Sequence, residues 1–453
     1  MGLDRDENRV IVETENGKIL GNREGSCLEF LGVPYASAGR FEYPEPSGKW
    51  EGILDATEMG AACPQYRQWF AHLDVPERLF YHREFREGLD IRYDEDTCLN
   101  LNIYAPENGR NCPVIVYIHG GGFNSGANCE EPFRGNRLAD RGVVSVFINY
   151  RVGVLGYLTN AEIREKTGFD GNFGLHDQIT AIKWVKKNIA DFGGDPDNIT
   201  VMGQSAGAIS IQYMCLDRRN SGLFSRAVML SGAGLFPKFA LPRTAEKTHE
   251  YWDAFLDSAG CGSLDGLKAL DIRDLFGKLE DFRSGRKDNV YNTMPVVDGR
   301  LLEKPVDEMM GDPMDIDHMI GFTSCDMYAP LMAKIGMDYA KKTGAYAYYF
   351  DIDAPGDSNG AFHSSDLRYM FGRLGTSWRP YTKEDETVAE TMMDYLANFA
   401  KSGDPNGDGL PRWESVGKHG GKPLRFRRDK ISAAGPNYLK LAYNMISKGE
   451  PKA

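Results

Sequence analysis

The nine residues Ile199-Thr200-Val201-Met202-Gly203-Gln204-Ser205-Ala206-Gly207 carry the reading of this fold. An unbroken apolar run of strand character leads straight into G-x-S-x-G, and a small-residue stretch of helical character follows. In such a strand-to-helix turn the two glycines remove side chains that would clash, leaving the serine hydroxyl projecting above the sheet. The pattern alone arises by chance in Gly/Ser-rich chains, where the serine is inert. Its position directly behind a buried-strand pattern makes Ser205 a candidate nucleophile.

Upstream, His119-Gly120-Gly121-Gly122-Phe123 follows another apolar run, at 114–117. Three successive glycines let backbone N–H groups converge on a point that no side chain blocks, as the oxyanion of an acyl-transfer intermediate requires. A phosphate cradle is the competing use of such a run. No Lys-Ser/Thr follows at Walker spacing, however, and no G-x-G-x-x-G opens a helix. Further apolar runs lie at 143–148, 227–230 and 345–350. Strands that read as continuous Val/Ile/aromatic blocks are usually buried on both faces, as in a mainly parallel sheet. Between two of them Leu175, Ile179, Ile182, Val185 and Ile189 form one helix face, which stops at Phe192-Gly193-Gly194-Asp195-Pro196. Strands alternating with such helices predict an α/β fold. A helical stretch at 386–401 and the turn Gly403-Asp404-Pro405-Asn406-Gly407 read as packing rather than chemistry.

A hydrolase built on this turn orders its residues as serine, acid, then histidine. Four histidines follow Ser205: His249, His318, His363 and His419. His249 falls in a charged helical stretch and His419 in a polar loop near the end. His318 precedes an apolar strand, with almost no room for an acid loop before it. His363 lies in Asn359-Gly360-Ala361-Phe362-His363-Ser364-Ser365-Asp366, a loop behind the strand at 345–350, and is the candidate base. For the acid, Asp326 in Ile320-Gly321-Phe322-Thr323-Ser324-Cys325-Asp326 leaves an apolar strand, where a buried carboxylate could fix the imidazole tautomer. Asp351, Asp353 and Asp357 are the alternatives.

With these residues in place the chain resembles the type-B carboxylesterases, which include cholinesterases and bacterial para-nitrobenzyl esterases. The likeness runs through Phe30-Leu31-Gly32-Val33-Pro34-Tyr35-Ala36, Asp96-Thr97-Cys98-Leu99-Asn100-Leu101-Asn102-Ile103, the His119 segment and Asn149-Tyr150-Arg151-Val152-Gly153. It continues through Asn172-Phe173-Gly174-Leu175-His176-Asp177-Gln178, the Phe192 turn, the Ser205 turn, Ser231-Gly232, the His363 loop and Gly403-Asp404-Pro405-Asn406. The resemblance implies an α/β-hydrolase fold, with a large, mostly parallel central sheet and helices on both faces. It implies Ser205 as nucleophile, His363 as general base and acid, and N–H groups of Gly121, Gly122 and Ala206 as oxyanion donors. Asp326 falls where the family usually carries Glu; being one methylene shorter, it demands a closer His loop or a weaker bond. Gln204 stands where the cholinesterase branch has Glu, which argues against a cationic, choline-like substrate. Cys63 and Cys98 resemble the partners of a disulfide in secreted members. The implied activity is serine carboxylesterase chemistry on short-chain or aryl esters of small molecules, without a cofactor. Two alternatives are a feruloyl or acetyl esterase acting on plant polysaccharides and a non-catalytic, cholinesterase-like binding protein.

Composition sets the outer limits. At roughly 150 residues per domain, a length of 453 suggests three domains; motifs ordered from 30 to 406 instead predict one domain over 1–453. A hydrophobic content of 42% excludes a disordered chain, and a net charge of -12 argues against nucleic-acid binding. The apolar runs are too short to span a bilayer, and the charged start, MGLDRDENRVIVETENG, lacks a signal-peptide core. A cytoplasmic monomer or homodimer is expected. Eight cysteines without a CxxC pair are expected to be mostly reduced, Cys63 and Cys98 included. No metal site is expected: Asp404-Pro405-Asn406-Gly407-Asp408-Gly409 begins like a calcium loop, but its twelfth position is Ser415. Residues 66–93 read as an irregular, aromatic-rich insertion that could form a rim or lid over a site. Only 37 positions separate Asp326 from His363, where relatives carry a longer helical segment. A shortened helical segment between 326 and 345 is therefore expected, with a more open pocket.

Overall fold

The computed structural model describes residues 8–66, 76–135, 137–234, 242–284, 286, 292–310, 313–417 and 420–447. Trp69 and Phe70 of the aromatic-rich insertion, and His419, lie outside these residues. Its centre is a large mixed sheet with strands β1 (Arg9–Thr14), β2 (Gly17–Glu24), β3 (Cys27–Pro34), β4 (Asn100–Pro106), β5 (Cys112–Ile118), β6 (Val144–Ile148), β7 (Gly194–Gln204), β8 (Arg226–Leu230), β9 (Asp317–Thr323), β10 (Tyr346–Phe350), β11 (Leu424–Phe426) and β12 (Ile431–Ala433). Their spatial order is β1-β2-β3-β4-β6-β5-β7-β8-β9-β10-β11-β12, with Ile53–Asp55 beside β2. From β6 through β11 every pairing is parallel; the arms at both ends are antiparallel apart from Ile53–Asp55, which runs parallel to β2.

The unbroken apolar runs have a direct cause. In β5, Val114, Val116 and Ile118 enter the core on one face, whereas Ile115 and Tyr117 enter the core on the other. Neither face meets water, so no polar alternation is left to read. One face is covered by α2 (Phe173–Asn188), α3 (Ala206–Leu216), α4 (Glu246–Ser258), α5 (Ile272–Arg283) and α6 (Ala329–Thr343), each contributing to the first core. The other is covered by α7 (Lys383–Ser402), whose Val388, Met392, Leu396 and Phe399 pack with Tyr117, Phe147, Tyr348 and Phe350. A last helix, α8 (Tyr438–Ser447), packs on α6. No described helix is long and apolar enough to cross a membrane. In α2, Leu175, Ile179, Ile182 and Val185 are buried as their spacing predicts; Ile189 opens a 3-10 turn, Ile189–Phe192.

Three expectations need correction. The segment at 66–93 is not wholly irregular: Pro76–Phe85 is an α-helix, numbered α9 here because it stands apart from the sheet layers. Among its described side chains, 79–85, Phe80 and the ion-paired Glu84 are the buried ones and form no apolar stripe, so periodicity could not reveal it. His318 does not precede the strand but lies within β9, buried, with a ring nitrogen 2.8 Å from the Ile316 carbonyl. The turn at 192–196 is overlapped by β7, which pairs with β5 from Gly194 across an irregularity before Ile199. Between Asp326 and β10 the chain forms the single helix α6.

Candidate active site

Ser205 stands at the junction of β7 and α3 with φ +54° and ψ −121°, a backbone conformation that non-glycine residues adopt only when their surroundings force it. The Ser205 amide donates to the Leu230 carbonyl at 2.8 Å, and its carbonyl accepts from Ile209 at 3.0 Å, which fixes the turn from both sides. The flanking glycine is a packing necessity: a Cβ on Gly207 would lie 2.1 Å from the Ile118 carbonyl oxygen. Strand and helix can meet this closely only without that carbon. The hydroxyl therefore faces outward at the carboxyl end of a parallel strand, where α/β sheets commonly place ligands.

His363 lies in the loop leaving β10, 8% exposed, and the imidazole Nδ1 is 2.5 Å from Asp326 Oδ1. Asp326, in the loop leaving β9, is satisfied on both oxygens. Its Oδ1 also accepts from the Met327 amide at 3.0 Å, and its Oδ2 accepts from Ser231 Oγ at 2.5 Å and the Thr323 amide at 3.2 Å. The shorter acid is met by a close approach of the two loops: Cys325 bridges to Phe362, and the Cys325 amide donates to the Ala361 carbonyl at 2.9 Å. The other imidazole nitrogen, Nε2, is 3.0 Å from the Gln204 amide nitrogen, which donates to it when Nδ1 carries the proton. The structure thus gathers Ser205, His363 and Asp326 at one end of the parallel sheet.

The alternatives are engaged elsewhere. Asp351 pairs with Arg425 and Lys440, Asp357 pairs with Arg379, and the Asp353 carbonyl accepts from Arg428. His249, in α4, is 2.8 Å from Asp170. Asp404 caps its own turn by accepting from the Asn406 amide at 3.0 Å and from its side chain at 2.6 Å. Cys63 and Cys98 are buried free thiols, and the hydrogen bond from Cys63 together with burial holds the Cys98 thiol far above its ordinary pKa.

The glycine run after β5 faces Ser205. Gly121 has φ +110° and Gly122 φ +62°, and the Gly121 carbonyl is turned into its own loop, accepting from Asn124 and Ser125 at 3.1 Å each. Ala206, the first residue of α3, presents one of the N–H groups that a helix start leaves without an intrahelical partner. These three groups border one cavity of ≈ 270 Å³ together with Ser205, Gln204 and His363. Tyr81, Phe85, Tyr117 and Phe133 wall one side, and Ile209, Met294, Met327 and Met332 wall another.

Residues that sequence reasoning passed over also hold the site. Ser231 binds the acid from the end of β8; its place between an apolar run and Gly232 was the available signal. Tyr81 O–H donates to the His363 carbonyl at 3.3 Å, Phe80 packs edge-on against Phe362 at 4.9 Å, and buried Glu84 pairs with Arg379 at 2.9 Å. The helix α9 is therefore fastened to the His363 loop. Asp366 is wholly buried below the same loop, accepts from Tyr348 O–H, and is pushed up to about 6 by burial, with Asp326 adding to the rise. Burial without a compensating charge also lowers His119 to about 4, so that ring is neutral; it stacks on Tyr150 at 4.3 Å.

Comparison with known proteins places this geometry in context. A model of the carboxylesterase family matches residues 8–338 and 327–441, two segments that overlap just beyond Asp326. The para-nitrobenzyl esterase of Bacillus subtilis (strain 168) is 31% identical over 510 aligned positions, covering 97% of this chain and 99% of that protein. The bile salt-activated lipase of Rattus norvegicus is 28% identical, covering 95% of this chain and 83% of that one. The solved structure of a thermophilic PNB esterase superposes with a TM-score of 0.81 at 28% identity, covering 95% of this chain and 99% of that chain.

Proposed function

The chain belongs to the carboxylesterase family, and on that premise we propose that it hydrolyses short-chain or aryl carboxylic esters of small molecules through an acyl-enzyme. The observation that carries this reading is the convergence of the His363–Asp326 pair, the Ser205 turn and the Gly121–Gly122 backbone on one cavity. His363 Nε2 takes the Ser205 proton as Oγ attacks the ester carbonyl. Asp326 holds Nδ1–H and stabilises the imidazolium. Gly121, Gly122 and Ala206 donate N–H groups to the oxyanion. The imidazolium returns its proton to the departing alkoxide, and alcohol leaves. Water, deprotonated at the same Nε2, then attacks the acyl-enzyme; as that intermediate collapses, the imidazolium returns the proton to Ser205 Oγ and the carboxylic acid leaves.

Gln204 engages the Nε2 that the serine proton has to reach, so its amide must yield that lone pair when the proton arrives. Being neutral, it adds no negative charge beside the nucleophile. The helix α9 acts as a rim, with its Tyr81 and Phe85 suiting a flat or apolar group. With α6 alone between Asp326 and β10, the pocket is left more open than in longer relatives.

Ser205→Ala should abolish turnover of para-nitrophenyl acetate and butyrate while leaving the fold intact; substantial residual turnover would refute the assignment. A fluorophosphonate probe separates this reading from a non-catalytic binding protein. Labelling at Ser205 requires an activated hydroxyl, and an unlabelled, folded protein would favour the binding role.

A further inference from the structure

At the inner end of the same cavity stands a carboxylate that the ester chemistry does not use. Glu130 is only 6% exposed and lines the cavity. Its Oε1 accepts from the Arg86 guanidinium at 2.7 Å, and Arg86 is fixed in turn by Gln65 Oε1 at 2.8 Å. Among the described residues no hydrogen-bond partner engages the other oxygen, Oε2, of this cavity-lining side chain. The side chain does not serve as a helix cap, although Glu130 sits at the start of the 3-10 turn Glu131–Phe133. A second polar side chain lines the same cavity. Tyr117 is 1% exposed, lines the cavity, and its hydroxyl is buried without a hydrogen-bond partner. A buried polar group left unpaired is destabilising. The Glu130 carboxylate and this hydroxyl form a polar patch among the aromatic side chains that line the cavity.

We infer that Glu130 and Tyr117 form a specificity subsite for a hydroxyl group carried by the leaving alcohol of the ester. The chemistry selects that class. An ionised carboxylate can only accept and the Tyr117 O–H can donate, so a hydroxyl, which both donates and accepts, satisfies the two at once, whereas an ammonium would leave the Tyr117 donor unused. Arg86 already neutralises Glu130, so a cationic head is not needed for charge balance. The position selects the alcohol rather than the acyl part. Tyr81, on the same wall, bonds the His363 carbonyl, and the leaving oxygen must lie at His363 to receive its proton. The subsite rests on the esterase reading above and names its substrate class.

The test uses two series of butyrate esters, ω-hydroxyalkyl and n-alkyl, with alcohols two to six carbons long, and measures acid release by pH-stat. At the chain length that reaches Glu130, kcat/KM for the hydroxy ester should exceed that of the alkyl ester of equal size by about 10- to 100-fold. A hydroxyl placed on the acyl chain instead should bring no such gain. Glu130→Gln should erase the preference, because its amide oxygen must turn to Arg86 and leave N–H groups facing the cavity. Tyr117→Phe, which keeps the ring, should reduce it. If the alkyl esters are turned over and no chain length discriminates in the unaltered protein, the two polar atoms serve only bound water and the inference falls. If neither series is hydrolysed, the esterase reading itself fails.

Discussion

Replacing Asp366 with asparagine should stabilise the protein at neutral pH and lose that effect in acid. The carboxyl is wholly buried, with one oxygen bound by Tyr348 O–H and Oδ1 without a partner. Burial first, and the Asp326 charge after it, push it from 3.8 up to about 6. The sign follows from which state binds more protons. Between about pH 4 and pH 6 the folded chain retains a proton that the unfolded chain has released. Below this window both states are protonated and ionisation contributes nothing. As pH rises through it, stability is lost, and above it the loss is complete. A shift of about two units corresponds to on the order of 3 kcal/mol. For a chain of 453 residues the unfolding entropy is on the order of 1 kcal/mol/K, so Tm should move by roughly 3 °C. Asparagine keeps an acceptor for Tyr348 and cannot ionise. Tm of both proteins is read by calorimetry at pH 4 and pH 8. The variant's advantage at pH 8 minus that at pH 4 isolates ionisation from any change of shape. A difference near zero, or one of opposite sign, would refute the reasoning.

Three further outcomes follow from the site. Asp326→Asn should lower kcat by about 10⁴-fold, as loss of the tautomer-fixing carboxylate does elsewhere, whereas Asp353→Asn should leave it nearly unchanged; para-nitrophenyl butyrate kinetics rank the two, and the reverse order would reassign the acid. Gly207→Ala should destabilise by more than about 3 kcal/mol, because a Cβ 2.1 Å from the Ile118 carbonyl forces strand and helix apart; unfolding in urea measures it. Arg379→Met should cost about 3–5 kcal/mol by leaving Glu84 buried without its cation. It should also lower kcat, since the Arg379 guanidinium lies 5.0 Å from the Phe362 ring beside His363; wild-type values for both would refute the coupling.

Much of this site was legible because its parts interrupt strong local patterns. Ser205, the 119–123 segment and Asp326 each follow a strand buried on both faces, so the end of an apolar run located them. His363 was found by its order after the acid and its place behind β10. What escaped depends on contacts distant in sequence. Glu84 looks like one charge among many until its pairing with Arg379 is seen. Asp366 reads as a surface acid, and nothing near it in the chain announces its burial against Tyr348. Ser231 precedes Gly232 at the end of an apolar run, but its bond to Asp326 arises only when β8 and β9 lie side by side. β11 and β12 are three residues each, too short for alternation to register. The exposed face of α9 resembles a loop because its buried face is partly ionic.

The fastening of α9 to the His363 loop bears on the order of assembly. The proposed nucleophile and oxyanion donors are complete once β5, β7 and α3 are in place, all before residue 217. The base joins them only after β9 and β10 have been added and the stretch around Tyr81, some 280 residues earlier in the chain, closes on it. Pairings of such long sequence separation form late. Under the proposed mechanism, a chain emerging from the ribosome therefore carries an unarmed Ser205 until the loop bearing His363 has been made. Recovery of ester turnover on refolding should lag the return of helical signal, making activity a reporter of the last docking step.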